Sequence, residues 1–524
     1  MPVTRRRLLT GLASSIAVAP FLNQSWAQGA KFQTNPFTLG VASGDPDATS
    51  VVLWTRLAPS PLENRGGMPS DPVAVDWEIA EDGKMQTVVK RGTVNALPAE
   101  GHSLHVVADG LTPNRHYWYR FMSGGAESRI GRTRTLPAAG VIPERYRIVS
   151  AGCQRIEHGY FTAWGEIAKS DIDLVYFSGD YIYEYALPEK SVDKRMGIEQ
   201  RMGRPIPSVV LKKLSDLSEF RLRYALYKLD PDLAAAHAAH PFVTTFDDHE
   251  VINDWAGMFL PGKMTQNDLI KLRTAAFQAF YENTPVRPSV KPNGPNITAY
   301  QSFEVGGLLR FASLDTRQYR SLPGCGKYDS RACEERKAPN RTMIGADQER
   351  WLFDQFGRDK TTWTVLGSQV LMMQRRIGDA AKDEVNTDKW DGNAASRARV
   401  LQAAVDRKVS GLVVLSGDFH KAFAGNLKVD FYKSDSPTMG VELLSSFISS
   451  DGDADGNIAA AAKRLYANNP HIKYFDDRRG YTVCDFTKDR CTATFKAVKA
   501  VSTRNEPITT IKTYEFSPDR PSLS

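Results

Sequence analysis

Short apolar runs recur along the chain after about residue 145, and their spacing limits the folds that the sequence can adopt. They read RIVSAGC, DLVYFSGD, PFVTTFDDHE, LRFASLDTR, TWTVLGSQV, GLVVLSGDFH and GVELLSSFIS. Longer segments of helical character separate them, such as FRLRYALYKLDPDLAAAHAA and TQNDLIKLRTAAFQAFYEN. Buried strands that alternate with helices predict a layered α/β domain over residues 145–500.

The preceding region has a different pattern. Between residues 35 and 137, VVLWTRL, AVDWEIAED and TVVKRGTVN alternate in part, and GDPD, EDGK and SGGA supply turns. The stretch GLTPNRHYWYRF resembles the tyrosine corner of fibronectin-like and immunoglobulin-like sandwiches. We therefore expect an all-β N-terminal sandwich domain, joined to the α/β domain by the linker LPAAGVIP. The polar residues 501–524 are expected to form a C-terminal tail.

The N-terminus has the pattern of an export signal. Thr-Arg-Arg-Arg-Leu-Leu opens a short apolar segment that ends in Ser-Trp-Ala at residue 27. This pattern is similar to a twin-arginine signal, so residues 1–27 predict the twin-arginine export machinery as a partner and a periplasmic or secreted location. A membrane anchor is the alternative. The apolar run is short for a membrane span and contains Pro20, so no stable anchor is expected.

Charge gives only weak information about partners. The formal net charge is +7 and the pI is about 8.9, which suits a small anionic substrate. Lysines and arginines are scattered along the chain, so no nucleic-acid partner is specifically indicated. We expect a monomer.

The chain has five cysteines. Cys325 and Cys333 lie in one glycine-containing loop, and Cys484 and Cys491 flank DFTKDR, a turn sequence. In an oxidising compartment both pairs predict local disulfides. Cys153 is left over, at the end of the run RIVSAGC.

Several of the apolar runs end in residues that can bind metals. In α/β sheets ligands bind beyond the carboxyl ends of strands, so these residues are expected to share one crevice. Each alone is most often a loop residue that makes a cap or a hydrogen bond. Buried carboxylates are costly without a counter-charge, so their convergence predicts a cation among them. The run ends supply Cys153, Asp180, Tyr183, Asp247, Asp248, His249, Glu250, Asp418 and His420.

The residue types also restrict the metal. A phenolate and a thiolate favour a strongly polarising ion such as Fe(III), whereas the carboxylates of Asp248 and Asp418 suit calcium or another hard ion. Zinc is the weaker alternative, because no H-E-x-x-H or C-x-x-C sequence occurs.

The order GD-x-x-Y, D-H-E, GD-x-H resembles the calcineurin-like metallophosphoesterases and purple acid phosphatases. Asp248 replaces the asparagine usual in those families, and Asp418 replaces the usual first histidine. With these departures, GCQR, SGDPDATSVVLWTRL, FDDHEVINDW and VLSGDFHKA are similar to the PhoD-type alkaline phosphatases. The resemblance extends from the N-terminal signal to about residue 450.

The resemblance implies a centre with one Fe(III) and two calcium ions. By position, iron would be held by Cys153, Asp180, Tyr183 and His420. Asp180 would bridge to calcium, with Asp248 and Asp418 as further ligands. Asn253 is the candidate for the second calcium, and a plain helix-surface role is the alternative for it.

The implied activity is hydrolysis of phosphate esters, monoesters and also diesters, with a metal-activated water or bridging oxygen as nucleophile. His249 would protonate the leaving oxygen or bind phosphate, or else only orient its neighbours. Arg155 would pair with phosphate oxygens or form an ordinary salt bridge. Two alternatives stay open: a phosphodiesterase of phospholipase type on the same centre, and a non-catalytic secreted binding protein whose metals are structural.

Overall fold

A computed structural model describes residues 31–187, 207–259 and 264–524, apart from 327, 329, 359, 378–381, 434 and 455–457. The predicted export signal, residues 1–27, lies outside the described residues. Within them, no helix has the length and apolar character needed to cross a membrane.

The helices of the described residues are α1 (Thr162–Ile167), α2 (Leu217–Lys228), α3 (Pro231–Ala239), α4 (Gln266–Asn283), α5 (Gly345–Gly357), α6 (Ala394–Asp406) and α7 (Ala459–Asn468). The strands are β1 (Val41–Gly44), β2 (Val51–Arg56), β3 (Val73–Ala80), β4 (Val88–Ala96), β5 (Ser103–Ala108), β6 (His116–Ser123), β7 (Ala126–Glu127), β8 (Gly131–Arg134), β9 (Tyr146–Ala151), β10 (Leu174–Phe177), β11 (Pro241–Thr244), β12 (Gln301–Val305), β13 (Leu309–Ser313), β14 (Ser330–Arg331), β15 (Trp363–Gly367), β16 (Val385–Asn386), β17 (Leu412–Ser416), β18 (Ala422–Lys428), β19 (Thr438–Leu444), β20 (Ile472–Asp476), β21 (Gly480–Phe486), β22 (Cys491–Val498) and β23 (Ile508–Phe516).

Two large mixed sheets form the centre of the molecule. The first has nine strands in the order β23-β22-β21-β9-β10-β11-β1-β2-β5, and the second has seven in the order β12-β13-β15-β17-β19-β18-β20. The strands β9, β10, β11 and β1 are parallel in the first sheet, as are β13, β15, β17 and β19 in the second. The pair β14 and β16 forms a separate small ribbon.

The two sheets pack face to face. Leu174 and Tyr176 of β10 share one buried core with Val413 and Leu415 of β17. The intervening side chains of β10 point to the opposite face and pack under the helices, with Phe177 against Trp164 of α1. Both faces of β10 are therefore buried, which explains why the run LVYF has no polar alternation. The predicted layered α/β architecture is confirmed.

The N-terminal all-β layer is also confirmed, with a closer connection than the sequence suggested. A five-stranded sheet, β4-β3-β6-β7 with β8 on β6, packs on β1 and β2 through a shared apolar core. However, β1 pairs in parallel with β11, with Ser43 opposite Pro241, so one layer of the sandwich belongs to the nine-stranded sheet. The nine-stranded sheet therefore contains strands from both sides of the predicted boundary at residues 137–145. The sequence could not show this, because an alternating pattern identifies a strand but not the strand with which it pairs.

The expected C-terminal tail, residues 501–524, contains a strand. The strand β23 pairs with β22 at the edge of the nine-stranded sheet. Beyond it, the backbone of Leu523 accepts from and donates to the side-chain amide of Asn426. Most residues of β23 are partly or fully exposed, which accounts for the polar composition that suggested a tail.

One of the two predicted disulfides is formed. Cys325 is bonded to Cys333. The predicted pair of Cys484 and Cys491 is wrong, since both are buried free thiols. The register of β21 and β22 places Cys484 opposite Ala493, which offsets the two sulfur-bearing residues along the ladder. Cys153 is free, as predicted.

Candidate metal centre

Strand ends from both large sheets meet at one edge. The strand β10 of the first sheet and β17 of the second each lead into the sequence Ser-Gly-Asp, which delivers Asp180 and Asp418. Glycines allow the close approach. A Cβ added at Gly152 or Gly417 would lie 2.4 Å or 2.3 Å from Oγ of Ser178. A larger residue at either glycine would therefore force the Ser178 side chain to move.

The expected ligand residues turn sharply away from their strands. The φ angles of Cys153, Asp180, Asp418 and His420 are 50°, 58°, 67° and 55°. This left-handed conformation is uncommon for residues with a Cβ, and such residues cluster at functional sites. Four of them at one sheet edge indicate that the backbone is shaped to direct side chains inward.

The residues expected to hold iron are brought together. The ligand atoms of Cys153, Asp180 and His420 lie within 4.8 Å of one another. The Tyr183 Oη lies 3.0 Å from Asp180 Oδ2 and 3.2 Å from His420 Nε2. Burial and neighbouring carboxylates raise the pKa of the Cys153 thiol and of the Asp180 carboxyl, which is the environment that a bound cation would relieve.

A second group contains Asp180, Asp248 and His249, again within 4.8 Å. Asp248 is buried, and its Oδ2 accepts a hydrogen bond from the Asp254 amide at 2.7 Å. Its Oδ1 has no hydrogen-bond partner and lies 3.3 Å from Nη2 of Arg317. A buried carboxylate oxygen without a hydrogen bond fits a metal ligand.

The third group of carboxylates already has cationic partners. Asp247, Asp248 and Asp418 lie within 4.8 Å of one another. Arg317 donates to Asp247, and its Nη2 lies 3.1 Å from Asp418 Oδ1. Lys389 also donates to Asp418. Much of the negative charge of this group is therefore balanced by side chains.

Asn253 has a different environment from the one expected. Its Oδ1 accepts a hydrogen bond from Tyr185 Oη at 3.0 Å, and its backbone amide donates to Glu184 at 3.1 Å. These contacts are those of a wall residue. They give no support to a second calcium at Asn253, which stays a prediction.

His249 is held at the centre by an acidic partner. Its Nδ1 donates to Glu184 Oε2 at 2.8 Å, and its ring lies 4.2 Å from that of Tyr183. Burial opposes protonation of the ring. The carboxylates of Asp248, Asp180 and Glu184 outweigh burial and raise the pKa of His249 to about 10.

Arg155 forms an ordinary salt bridge with Glu157, which was the alternative to a role in phosphate binding. Its Nε donates to Glu157 at 2.5 Å, and its guanidinium lies 5.3 Å from the Tyr183 ring centroid and 4.8 Å from that of Tyr185. It therefore lies beside the centre, with one face of its guanidinium on aromatic rings.

Glu250 has a structural role that the sequence analysis did not assign. Its carboxylate accepts hydrogen bonds from the backbone amides of Asp180, Tyr181 and Asp247, at 3.1, 2.5 and 2.8 Å. It ties the loop after β10 to the loop after β11. The sequence gives one indication of this role, since Glu250 directly follows Asp248 and His249 at the end of the same apolar run.

Two further residues were missed in the loop that follows β19. Asp451 Oδ2 accepts from His420 Nδ1 at 2.8 Å. Ser450 Oγ lies 2.7 Å from Tyr183 Oη and donates to the Cys153 carbonyl. Both follow the apolar run GVELLSSFIS, so the rule that identified Asp180 also applied to them. Arg317 similarly follows the run of β13.

Comparison with known proteins identifies the family. The PhoD-like phosphatase family matches residues 148–495, and its N-terminal domain matches residues 23–137. The chain is 39% identical to alkaline phosphatase D of Bacillus subtilis (strain 168) over 516 residues, which are 98% of this chain and 87% of that protein. A solved structure of PhoD is similar with a TM-score of 0.89 at 40% identity, covering 94% of this chain and 93% of that one.

These similarities extend through the N-terminal layer, both large sheets and the strand ends that meet at the centre. The chain therefore belongs to the PhoD-like phosphatase family and is a phosphoric ester hydrolase.

Proposed function

We propose that the chain is an exported, metal-dependent phosphatase that acts on small phosphate monoesters and diesters. The observation that carries this proposal is the convergence of Cys153, Asp180, Tyr183 and His420 on one point, with the buried, incompletely bonded Asp248 beside them. A thiol, a phenol, an imidazole and carboxylates at one sheet edge are a donor set for metals, not for a serine-type nucleophile.

The proposed metals follow from the chemistry of the ligands. Cys153, Asp180, Tyr183 and His420 would hold Fe(III), and the oxygens of Asp180 and Asp248, with Asp418, would hold calcium. When bound, these ions supply Lewis-acid polarisation of the ester and activation of water. Calcium at Asp418 would have to displace Arg317 and Lys389 from its carboxylate.

The side chains around the ligands would bind and orient the phosphate. His249, fixed through Nδ1 by Glu184, would when protonated donate from Nε2 to an anionic phosphoryl oxygen or to the leaving oxygen. Arg155 keeps its ion pair with Glu157 and contributes positive charge near Tyr183. These contacts concern the phosphate group alone. They support hydrolysis of both ester types, and a specialised phosphodiesterase is the second candidate.

Export rests on separate evidence. The twin-arginine pattern of residues 1–27 lies outside the described residues. The Cys325–Cys333 disulfide is typical of proteins in oxidising compartments and supports a location outside the cytoplasm.

One experiment tests activity and metal dependence together. The purified protein is assayed with p-nitrophenyl phosphate and with bis-p-nitrophenyl phosphate, before and after a calcium chelator, with elemental analysis of iron and calcium. We expect hydrolysis of both esters, its loss on chelation and its recovery with added calcium rather than zinc. Activity on the diester alone would favour the phosphodiesterase, and full activity in metal-free protein would contradict the proposed centre.

A matched pair of variants tests the role of the thiol. Cys153→Ser should lower the iron content and bleach the visible absorption that a phenolate and a thiolate give with ferric iron. Cys484→Ser makes the same change at another buried thiol, away from the strand ends. It should retain iron and colour. Equal iron content in both variants would show that Cys153 is merely buried.

A further inference from the structure

A row of aromatic rings begins at the metal centre. Phe419 lies between two of the candidate ligands, Asp418 and His420, in the loop that follows β17. Its partly buried ring lies 5.2 Å from that of Phe423, edge to face. Phe423 belongs to β18, is fully buried and lies 5.1 Å from the ring of Phe475 in β20. These three phenylalanines, the aromatic row, extend from the centre along the second sheet.

An arginine packs on this row. Arg375 Cζ lies 4.5 Å from the ring centroid of Phe419 and 5.8 Å from that of Phe423. Its backbone amide donates to Asp391 Oδ2 at 2.8 Å, and Asp391 Oδ1 accepts from Arg397 Nη1 at 2.6 Å. Asp391 therefore fixes the main chain of Arg375 without a hydrogen bond to its guanidinium.

The guanidinium of Arg375 has no hydrogen bond or ion pair with any residue that the structure describes. Its Nε is buried and lacks a hydrogen-bond partner, whereas the residue as a whole is partly exposed. Burial lowers the pKa of this guanidinium and the charge of Asp391 opposes the shift, but an arginine keeps its charge. Because charged side chains are rarely buried unless they are paired, this one is available to anionic oxygens from solution.

A lysine lies on the same row. Lys421 directly follows His420, and its Nζ lies 5.7 Å from the ring centroid of Phe475. Lys421 is partly exposed, and within the described ranges its ammonium makes no hydrogen bond or ion pair. Arg375 and Lys421 thus place two unpaired positive charges beside the loop that carries the ligands.

The aromatic row reaches the centre at Phe419. Lys389 Nζ lies 6.0 Å from the ring centroid of Phe419 and 2.8 Å from Asp388 Oδ2, and it also donates to Asp418. One ring is therefore shared by Lys389, which carboxylates of the centre neutralise, and by Arg375, which they do not. An anion bound at Arg375 would be separated from the ligand loop by the Phe419 side chain.

We propose that Arg375 and Lys421 form a binding subsite for a second anionic group of the substrate. This group is a carboxylate or a further phosphate, carried by the alcohol of the ester. The planar guanidinium would donate to two of its oxygens, and the ammonium would balance its charge. The inference rests on the proposed function, since the phosphoryl group to be cleaved would bind at the metal centre. It adds a substrate class, namely esters with a second anion at a distance from the reacting phosphorus.

Three competitors of p-nitrophenyl phosphate hydrolysis test the subsite. Sorbitol 6-phosphate has one anionic group. At the other end of a six-carbon chain, 6-phosphogluconate adds a carboxylate and sorbitol 1,6-bisphosphate adds a phosphate. Inhibition constants are compared, so no competitor has to be cleaved. We expect 6-phosphogluconate or the bisphosphate to bind about tenfold or more tightly than sorbitol 6-phosphate, and the tighter of the two identifies the group.

Variants assign this preference to the two cations. Arg375→Met removes the charge but still covers Phe419, and it should make the inhibition constants nearly equal. Arg375→Lys keeps a charge and should retain part of the preference, and Lys421→Met should lower it. The iron content of each variant shows whether the centre is intact.

Arg376→Met is the matched control. Arg376 also packs on an aromatic ring, 5.1 Å from the centroid of Tyr432, but it forms an ion pair with Asp383. This variant should keep the wild-type preference, because its charge is already balanced.

Three results would overturn the subsite. The first is equal inhibition by all three competitors in the wild type. The second is a preference unchanged in both Arg375→Met and Lys421→Met, and the third is an equal loss in Arg376→Met, which would indicate a general effect of surface charge. Failure of the proposed function itself would be seen separately, since the wild type would then not hydrolyse p-nitrophenyl phosphate, and both proposals would fall.

Discussion

At the scale of single residues, several carboxylates orient the candidate ligands. Glu250 holds the backbone beside Asp180, Glu184 fixes the ring of His249, and Asp451 fixes the ring of His420. At His420, the Asp451 carboxylate on Nδ1 selects the tautomer whose Nε2 is free to bind a metal. We therefore expect these residues to control metal affinity.

Replacement of Asp451 tests this role. Asp451→Ala should lower iron affinity and kcat by about 10- to 100-fold, because His420 loses both its orientation and its anionic partner. Asp451→Asn keeps an acceptor for Nδ1–H of His420, so its iron affinity and kcat should fall less than those of Asp451→Ala. Iron content at limiting iron, measured by elemental analysis, distinguishes ligand positioning from a general fall in stability. Asp430→Asn, in an exposed ion pair with Lys433 away from the strand ends of the centre, is the control and should keep its iron. Full iron content in Asp451→Ala would show that His420 is oriented by its other contacts.

A buried lysine makes stability depend on pH. Lys228 donates to Tyr181 Oη at 3.3 Å, and its Nζ lies 4.2 Å from a ring centroid of Trp54. Burial lowers its pKa to about 7, so the unfolded chain binds one more proton there than the folded chain between pH 7 and about 10.5. The free energy of unfolding should therefore rise with pH across this window, by at most about 1.4 kcal/mol per pH unit from this group.

Lys228→Met removes this dependence. The variant should be more stable than the wild type near pH 7, and the difference should shrink as pH rises towards 10. Urea unfolding at several pH values measures it, with the exposed Lys84→Met as control. A constant difference between variant and wild type from pH 7 to pH 10 would show that Lys228 does not titrate in this window.

At the scale of elements, the two Ser-Gly-Asp turns bring the sheets together. Gly179 has a φ of 115°, and a Cβ there would lie 2.6 Å from the backbone nitrogen of Asp247. Gly110 also has a positive φ, of 71°, but nothing lies within 4 Å of its Cβ position. The two glycines therefore separate the effect of backbone conformation from that of a steric clash.

Gly110→Ala should cost about 1 kcal/mol, since only the left-handed conformation is penalised. Gly179→Ala should lower the free energy of unfolding by several times as much as Gly110→Ala. It should also lower kcat at least tenfold, because the clash displaces the loops that carry Asp180 and Asp248. Urea unfolding and phosphatase assays measure both. Equal losses of stability in the two variants would mean that the loop after β11 relaxes around the added methyl group.

The same elements show what the sequence could predict. Residues that follow an apolar run directly, such as Asp180 and His420, were predicted because their position depends only on local chain order. Lys389 reaches the carboxylate of Asp418 from a segment that follows none of the apolar runs, and no local pattern indicates this contact. The erroneous Cys484–Cys491 disulfide has a similar cause, since the register between strands sets the two thiols diagonally across the ladder and not directly opposite each other.

At the scale of the whole molecule, the N-terminal and catalytic regions share structure. The strand β1 adds to β11, and Trp54 of β2 donates from Nε1 to the Glu282 carbonyl at the end of α4 at 3.1 Å. Arg287 donates from its side chain to the Asp45 carbonyl, and its backbone amide donates to the Asp45 carboxylate. The edge of β11 is therefore covered by the N-terminal region, and neither region has a complete sheet without the other.

This shared sheet predicts that residues 35–137 and 145–500 unfold together. Scanning calorimetry should show one transition, with calorimetric and van't Hoff enthalpies in agreement. Trp54→Ala, which removes a fully buried side chain on the N-terminal side, should destabilise the protein by about 3–5 kcal/mol. Because the regions are coupled, thermal loss of phosphatase activity should shift to lower temperature together with the calorimetric transition. Two transitions, of which only the first shifts in Trp54→Ala while activity persists to the second, would instead show that the β1–β11 pairing joins two independently stable domains.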